Sequence, residues 1–335
     1  MSASDPAANS LAILDDYHSI ALKHFTDLHP TLPITLFPDT LHPLHSEQDH
    51  AALIARLKPF TIISTMRERT PLPASILTQL PNLRLLLTTG NRNLGIDEVA
   101  AYEAGVTYTG TVAMGSIPPK GATEADLAEI KDLRGRYSAT NEHTFALLLS
   151  LAKYIPSDDY RIKAQPTAPW QTDLVTGLAG KVFGCIGLGR LGAQAAITAR
   201  LGFGMRVLCW SPNLKQERCD EVAKGVGLPA GTFKLAGSLK ELMEGSDVVS
   251  VHVVLSPRSK GMLSARELSW LKPSALLINT SRGPLIDETA LLDVCSRGAI
   301  RGVGLDVYER EHSRGIVRGG KGRDIGDERG GVRWC

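Results

Sequence analysis

The chain has 335 residues, enough for two domains that each bury their own core. Its composition, 43% hydrophobic and 21% charged, is that of a globular protein, and a net charge of +2 argues against a strong overall pull toward nucleic acid or a membrane surface. The opening MSASDPAANS lacks the basic and apolar regions of a secretory signal, and no apolar run is long enough to span a bilayer. The five cysteines, Cys185, Cys209, Cys219, Cys295 and Cys335, form no CxxC pair and no metal-like spacing with histidine, so no metal site is expected. They read as reduced thiols of a cytoplasmic protein.

In chain order, short β-rich runs alternate with amphipathic segments. LAILDD (11–16), PITLF (33–37), TIIST (61–65), LRLLLTT (83–89) and VTYTGT (106–111) predict strands; HAALIARLK (50–58) and IDEVAAYEAG (96–105) predict helices between them. The segment 114–155 differs in character. Thr123 followed by Asp126 suggests a capping box, predicting a short surface helix over ATEADLAEIKD, and the apolar run from Thr144 to Ile155 predicts a better one, capped by Thr140 or Asn141. Then KVFGCIGLG (181–189), MRVLCWS (205–211), DVVSVHVVL (247–255), ALLINTS (275–281) and GVGLDVY (302–308) repeat the alternation. The pattern implies an α/β fold of two doubly wound, Rossmann-like parallel-sheet domains. From residue 312 a Gly/Arg-rich tail shows neither periodicity, so disorder is expected there. Its single aromatic, Trp334, and modest charge make it a poor RNA contact.

Gly187, Gly189 and Gly192 form a G-x-G-x-x-G run between a predicted strand and a predicted helix, with another strand about twenty residues on. Only with such context is this motif specific. The first glycine permits a tight turn, the second lets backbone approach a pyrophosphate, and the third allows close helix–strand packing. The bland alternative is a glycine turn with no ligand. At the end of the next strand, where NAD-selective sites place a carboxylate for the ribose hydroxyls, stands Ser211, followed by Asn213 and Lys215. Without the carboxylate a 2′-phosphate is not repelled, and Lys215 could attract one, so NAD or NADP is expected with a lean toward NADP tolerance. Further on, a loop arginine (Arg282) follows an apolar strand, Asp306 closes another, and Glu311 lies five residues beyond. Taken singly these are a rim arginine, a strand-capping acid and a surface glutamate.

Together, GCIGLGRLG, SDVVSVHVVLS, LLINTSRGPLIDETALL and GVGLDVYERE resemble the D-isomer-specific 2-hydroxyacid dehydrogenase family, of the phosphoglycerate, glyoxylate and hydroxypyruvate reductase kind. IISTMRERTPLP, LPNLRLLLTTGNRNLGIDEVAAYEAGVTYTGT and NEHTFALLLSLA extend the likeness over nearly all of residues 10–311. The resemblance implies a flavodoxin-like substrate-binding domain (1–139), an NAD(P)-binding Rossmann domain (140–311) and a homodimer formed through the latter. It implies hydride transfer between a nicotinamide and C2 of a small D-2-hydroxy or 2-oxo acid. By motif, Arg282 would grip the substrate carboxylate and carbonyl, and Glu311 would hold the catalytic histidine. Arg190 and Leu191 would touch the cofactor phosphates, while Thr280, Ser281 and Asp306 would line its nicotinamide side. Arg67, Gly90 and Asn91 would contact the substrate carboxylate from the first domain.

Two departures stand out. The family passes directly from the fifth strand to the EHT helix, whereas this chain inserts a segment over 118–137, within the atypical stretch 114–137. No TPHIG-like segment follows Glu311, so the catalytic histidine, the last strand and the helix returning to the first domain have no counterpart in 312–335. His312 adjoins Glu311, but neighbours on an extended chain point to opposite sides; His143 and His252 are expected to pack or hydrogen-bond structurally. The expectation is therefore an oxidoreductase impaired in this form, with a non-catalytic dinucleotide-binding regulator of the corepressor type as the alternative.

Overall fold

The computed structural model describes residues 8–25, 27–28, 31–90, 93–111, 123–124, 138–164 and 174–308. These fall into two compact units, one from the described residues up to 111 and one from those beginning at 123.

The first unit runs β1 (Leu11–Ile13), β2 (Ile34–Leu36), α1 (Glu47–Leu57), β3 (Ile62–Thr65), α2 (Ala74–Leu77), β4 (Leu85–Thr88), α3 (Glu98–Glu103) and β5 (Thr107–Gly110). All five strands are parallel, in the order β2-β1-β3-β4-β5. Helix α1 begins where Ser46 Oγ accepts the Asp49 N–H at 3.0 Å, with Glu47 and Asp49 complementing the helix dipole. It buries Leu53 and Leu57, one turn apart, against Ile63, Ile76 and Leu86. Asp97 caps α3 in the same way, accepting from Ala100 N–H at 2.9 Å.

The second unit runs α4 (Ala139–Ala152), α5 (Ile155–Ala164), β6 (Val182–Ile186), α6 (Arg190–Phe203), β7 (Arg206–Trp210), α7 (Gln216–Lys224), β8 (Phe233–Leu235), α8 (Leu239–Gly245), β9 (Val248–Val251), α9 (Ala265–Leu268), β10 (Leu276–Asn279), α10 (Glu288–Ser296) and β11 (Gly302–Leu305). Its six parallel strands are ordered β11-β10-β9-β6-β7-β8. Strands β9, β10 and β11 are buried at every residue, as sheets covered on both faces require. Helix α4 covers one face. A Cβ on Gly304 of β11 would stand 3.0 Å from Leu147 Cβ of α4, so glycine there sets how closely the helix packs. Among the described residues no helix is long and apolar enough to cross a membrane.

The two parallel α/β sheets are those the alternation predicts. Three details differ. Helix α4 starts at Ala139, two or three residues before a Thr140 or Asn141 cap would place it, because Ser138 is its cap: the hydroxyl accepts the Asn141 N–H at 3.2 Å. Thr140 and Asn141 are already helical. Tyr154, at φ 58°, breaks the chain after α4, and the separate helix α5 follows where the sequence suggested only the end of one helix. Strand β8 was not expected; its three residues Phe-Lys-Leu are too short for a period, and only pairing with β7 defines it. The ATEADLAEIKD helix, apart from Thr123 and Glu124, and the tail 312–335 lie outside the described residues.

Candidate active site

In the second unit every predicted site residue that is described sits at the carboxyl ends of the strands. The glycine run follows β6, Ser211 follows β7, Thr280, Ser281 and Arg282 follow β10, and Asp306 follows β11. The sheet reverses its direction of growth between β6 and β9, and a parallel sheet opens a crevice for ligands at such a point.

Gly187 adopts φ 96°, a left-handed conformation that side chains rarely take, and there its N–H donates to Trp210 O at 2.8 Å. A Cβ at Gly192 would collide with the Gly187 carbonyl oxygen, so α6 can start this close under β6 only with glycine. Around Gly189, by contrast, no protein atom lies within 4 Å of where a Cβ would stand. That open space, at the mouth of a 14-residue helix with no side-chain cap, fits an approaching pyrophosphate. Arg190 is exposed at the first turn and Leu191 half-buried beside it. Beneath the loop the Cys185 thiol faces the carbonyls of Gly187 and Gly192, each at 3.5 Å.

A cleft of about 630 Å³ opens against this loop, lined by Gly187, Gly189, Ser211, Asn213, Lys215 and His252 among others. No carboxylate stands at the Ser211 position; Lys215 is exposed at the start of α7. His252 was expected to be structural, and its Nε2 does lie 2.8 Å from Ser250 Oγ. It also lines the cleft, and burial pushes its imidazole down to about 4, so it is neutral at physiological pH.

Beyond β10 the loop is folded by Asn279. Its Oδ1 accepts the Ser281 N–H at 3.0 Å, and its Nδ2 donates to Arg282 O at 3.0 Å. Ser281 Oγ donates to Val253 O at 2.8 Å, and Arg282 stands half-buried, extended, at the head of a short 3-10 turn (Gly283–Leu285). Asp306 N–H donates to Asn279 O at 3.1 Å. One asparagine thus ties the loops that carry Arg282 and Asp306. Thr280 is buried against Thr144, and Asp306 lies 3.4 Å from His143; sequence reasoning gave neither α4 residue a part here. Their signal was the EHT triplet, which does not say what the helix faces.

In the first unit Arg67 follows β3 and Gly90 follows β4. Arg67 holds φ 52°, pinned by its N–H to Thr89 Oγ1 at 3.1 Å and by Asn93 Nδ2 on its carbonyl. Gly90, at φ 98°, donates its N–H to Thr111 Oγ1 at 2.8 Å. Asn91 and Glu311 lie outside the described residues.

Residues 145–316, half of the chain, match the family model described as D-isomer specific 2-hydroxyacid dehydrogenase, NAD binding domain. The chain belongs to the D-isomer specific 2-hydroxyacid dehydrogenase family. Among its curated relatives, D-3-phosphoglycerate dehydrogenase of Bacillus subtilis is 32% identical over 248 residues, 73% of this chain and 41% of the relative. Glyoxylate reductase of Thermococcus litoralis is 36% identical over 179 residues, 52% of this chain and 51% of the relative. The chain therefore spans about half or less of the length of these 2-hydroxyacid dehydrogenase relatives. Among solved structures, the phosphoglycerate oxidoreductase of Vibrio cholerae superposes with a TM-score of 0.73 at 29% identity, covering 90% of this chain and 85% of the other. The D-lactate dehydrogenase of Aquifex aeolicus, solved with NAD and lactic acid, gives 0.64 at 25% identity, covering 90% and 77%. The matched family model is that of an NAD binding domain, and the cofactor is NAD or NADP.

Proposed function

We propose that this chain is an NAD(P)-dependent oxidoreductase acting on the CH–OH group of small D-2-hydroxy acids, and that it runs as a reductase of 2-oxo acids. The observation that carries the reading is the convergence of an open glycine loop, an arginine loop and an aspartate on the carboxyl edge of one sheet. When bound, the dinucleotide supplies the hydride. The chain's own residues would do the rest. Arg282 offers a planar pair of N–H donors that fixes a 2-oxo carboxylate in one orientation, each charge-assisted bond contributing about 1.5–3 kcal/mol. Arg67 and the turn at Gly90 and Asn91 would contact that carboxylate from the first domain, taken as 1–139, with 140–311 as the nucleotide domain.

Glu311 would orient a histidine that donates the proton to the carbonyl oxygen. Residues 312–335 contain no TPH segment to supply one, and loss of a positioned acid costs typically 10²–10⁴ in rate. The 335-residue polypeptide by itself should therefore bind dinucleotide and turn over slowly. Ser211 and Lys215 favour tolerance of NADPH, since neither repels a 2′-phosphate. The exposed apolar side chains Ile155, Tyr160, Ile162, Leu174 and Val175 support a homodimer through this unit. The compartment best suited to four buried free thiols is the cytoplasm.

The test is to follow NADH and NADPH oxidation by the full chain with glyoxylate or hydroxypyruvate, beside a direct measurement of dinucleotide binding. Weak but measurable binding with very slow turnover supports the proposal. Fast turnover refutes the impairment and calls for another proton donor. Binding with no turnover at all favours the regulator of the corepressor type, and no binding refutes both.

A further inference from the structure

The cap and first two turns of α4 make four polar contacts that each reach far along the chain. Ser138 Oγ donates to Gln194 Oε1 at 2.8 Å, and Asn141 Nδ2 donates to Thr198 Oγ1 at 2.9 Å, both acceptors lying on α6. Thr144 Oγ1 lies 2.8 Å from Thr280 Oγ1, and His143 Nε2 lies 3.4 Å from Asp306 Oδ1. Phe145 fixes the turn from below, stacked on Phe183 of β6 at 6.1 Å and on Phe203 of α6 at 5.1 Å. One helix end thus bridges the helix that opens at the glycine loop and the loops that follow β10 and β11.

The hydrogen-bond directions add to this. Thr144 Oγ1 donates to Thr140 O at 2.9 Å, which uses its only proton. Thr280 must then donate to Thr144, and its own oxygen is left able only to accept. The side chain is buried, so its rotamer and the start of the Thr280–Arg282 loop are set from α4. His143 and Asp306 are each about half exposed, at 48%. A cation or N–H beside Asp306 narrows the directions its carboxylate can take, an effect worth little for stability on a solvated surface but decisive for aim.

A dinucleotide seated across the switch point leaves its adenosine half over β6 and β7 and its nicotinamide half over β9, β10 and β11. We infer that Thr144 and His143 are positioning residues for the nicotinamide end of the site, Thr144 by locking Thr280 and His143 by holding Asp306. The inference rests on the reading above in which Thr280, Ser281 and Asp306 face the nicotinamide. It makes α4 a support for hydride geometry and gives it no part in adenosine binding.

The experiment compares NADH with ADP-ribose, which lacks the nicotinamide, as ligands of the full chain and its variants. Affinities come from calorimetry, and the emission of bound NADH reports on the ring's surroundings. Thr144→Val should weaken NADH by roughly tenfold while ADP-ribose stays within about twofold, and Thr144→Ser should restore NADH. His143→Gln, on a half-exposed side chain that the fold does not need, should weaken NADH by roughly threefold and shift its emission, again sparing ADP-ribose. It carries the test if Thr144→Val folds poorly. Should Thr144→Val and His143→Gln bind NADH as the parent does while Asp306→Ala does not, the inference is overturned and the site reading stands. Should the parent itself bind NADH no tighter than ADP-ribose, the site reading falls and the inference with it.

Discussion

The two halves of the cofactor sheet are built on different principles. The half around β6 and β7 is specified by backbone: a left-handed glycine at 187, a glycine at 192 where any side chain would strike a carbonyl, and a helix separated from the strand by only three residues. The glycines that shape it all lie within one short stretch of chain, although the Gly187 N–H also bonds Trp210 O of the next strand. The half beyond β9 depends on contacts between residues far apart in sequence, with the Asn279 carbonyl accepting the Asp306 N–H, the Asn279 side chain folding the arginine loop, and Thr144 reaching across 136 residues to Thr280. A pyrophosphate presents the same shape in every dinucleotide enzyme, so a short backbone cradle suffices. Hydride transfer needs distances held to a fraction of an ångström, and only a network anchored in several elements holds loops that firmly.

The contrast is tested most severely at Gly192. Gly192→Val forces α6 away from β6, and NADH affinity should fall by roughly a thousandfold, about 4 kcal/mol, in a calorimetric titration. Affinity within a factor of ten of the parent would mean the cradle yields, and that backbone alone does not define this half. A second prediction concerns His252, between the halves. Its folded pKa of about 4 lies below the ordinary 6.5, so the unfolded chain binds the extra proton. Stability tied to this group is complete above pH 6.5 and is lost as pH falls toward 4, by about 3 kcal/mol in all. Urea midpoints measured from pH 7 to 4 should decline in the parent and decline less in His252→Asn; parallel curves would show that the fold does not hold this imidazole neutral.

The same contrast explains what the sequence could tell. Two parallel α/β sheets, the glycine cradle and Ser211 at the end of β7 were readable because each depends on neighbours in the chain. The start of α4 lies two or three residues before the one a Thr140 or Asn141 cap implies, because its cap, Ser138, stands just ahead of these two polar residues that also suit a cap. Which serine or asparagine wins is decided by Gln194 and Thr198, which hold Ser138 and Asn141 from another helix. Strand β8 escaped notice because three residues carry no period, and β7 alone makes them a strand. His252, expected to pack or hydrogen-bond structurally as part of another motif, does lie against Ser250 Oγ but also lines the cleft. Its place beside Gly187, with its N–H on Ile186 O at 2.8 Å, follows from strand order, which no local pattern encodes.

A smaller effect is expected where the backbone half chooses its ligand. Ser211→Asp places a carboxylate where a 2′-phosphate would sit, and NADPH affinity should drop by about tenfold, roughly 1.4 kcal/mol, while NADH holds or gains. Equal losses for both dinucleotides would mean that the residue shapes the cleft and does not select between them.

The mildest change should come at Ser138, the cap of the helix that serves both halves. Its hydroxyl accepts from Asn141 N–H, capping α4, and donates to Gln194 on the helix behind the glycine loop. Ser138→Ala removes the cap and should cost about 1 kcal/mol in a denaturant titration. Ser138→Asp keeps an acceptor for the cap but has no proton for Gln194 Oε1, so it separates the two duties. If α4 is merely a lid on the sheet, Ser138→Asp should match the parent in stability and in NADH binding. If the helix end is a brace between the halves, stability should recover in Ser138→Asp while NADH affinity stays about twofold weak, since the brace has then lost one of its holds on α6 and nothing else.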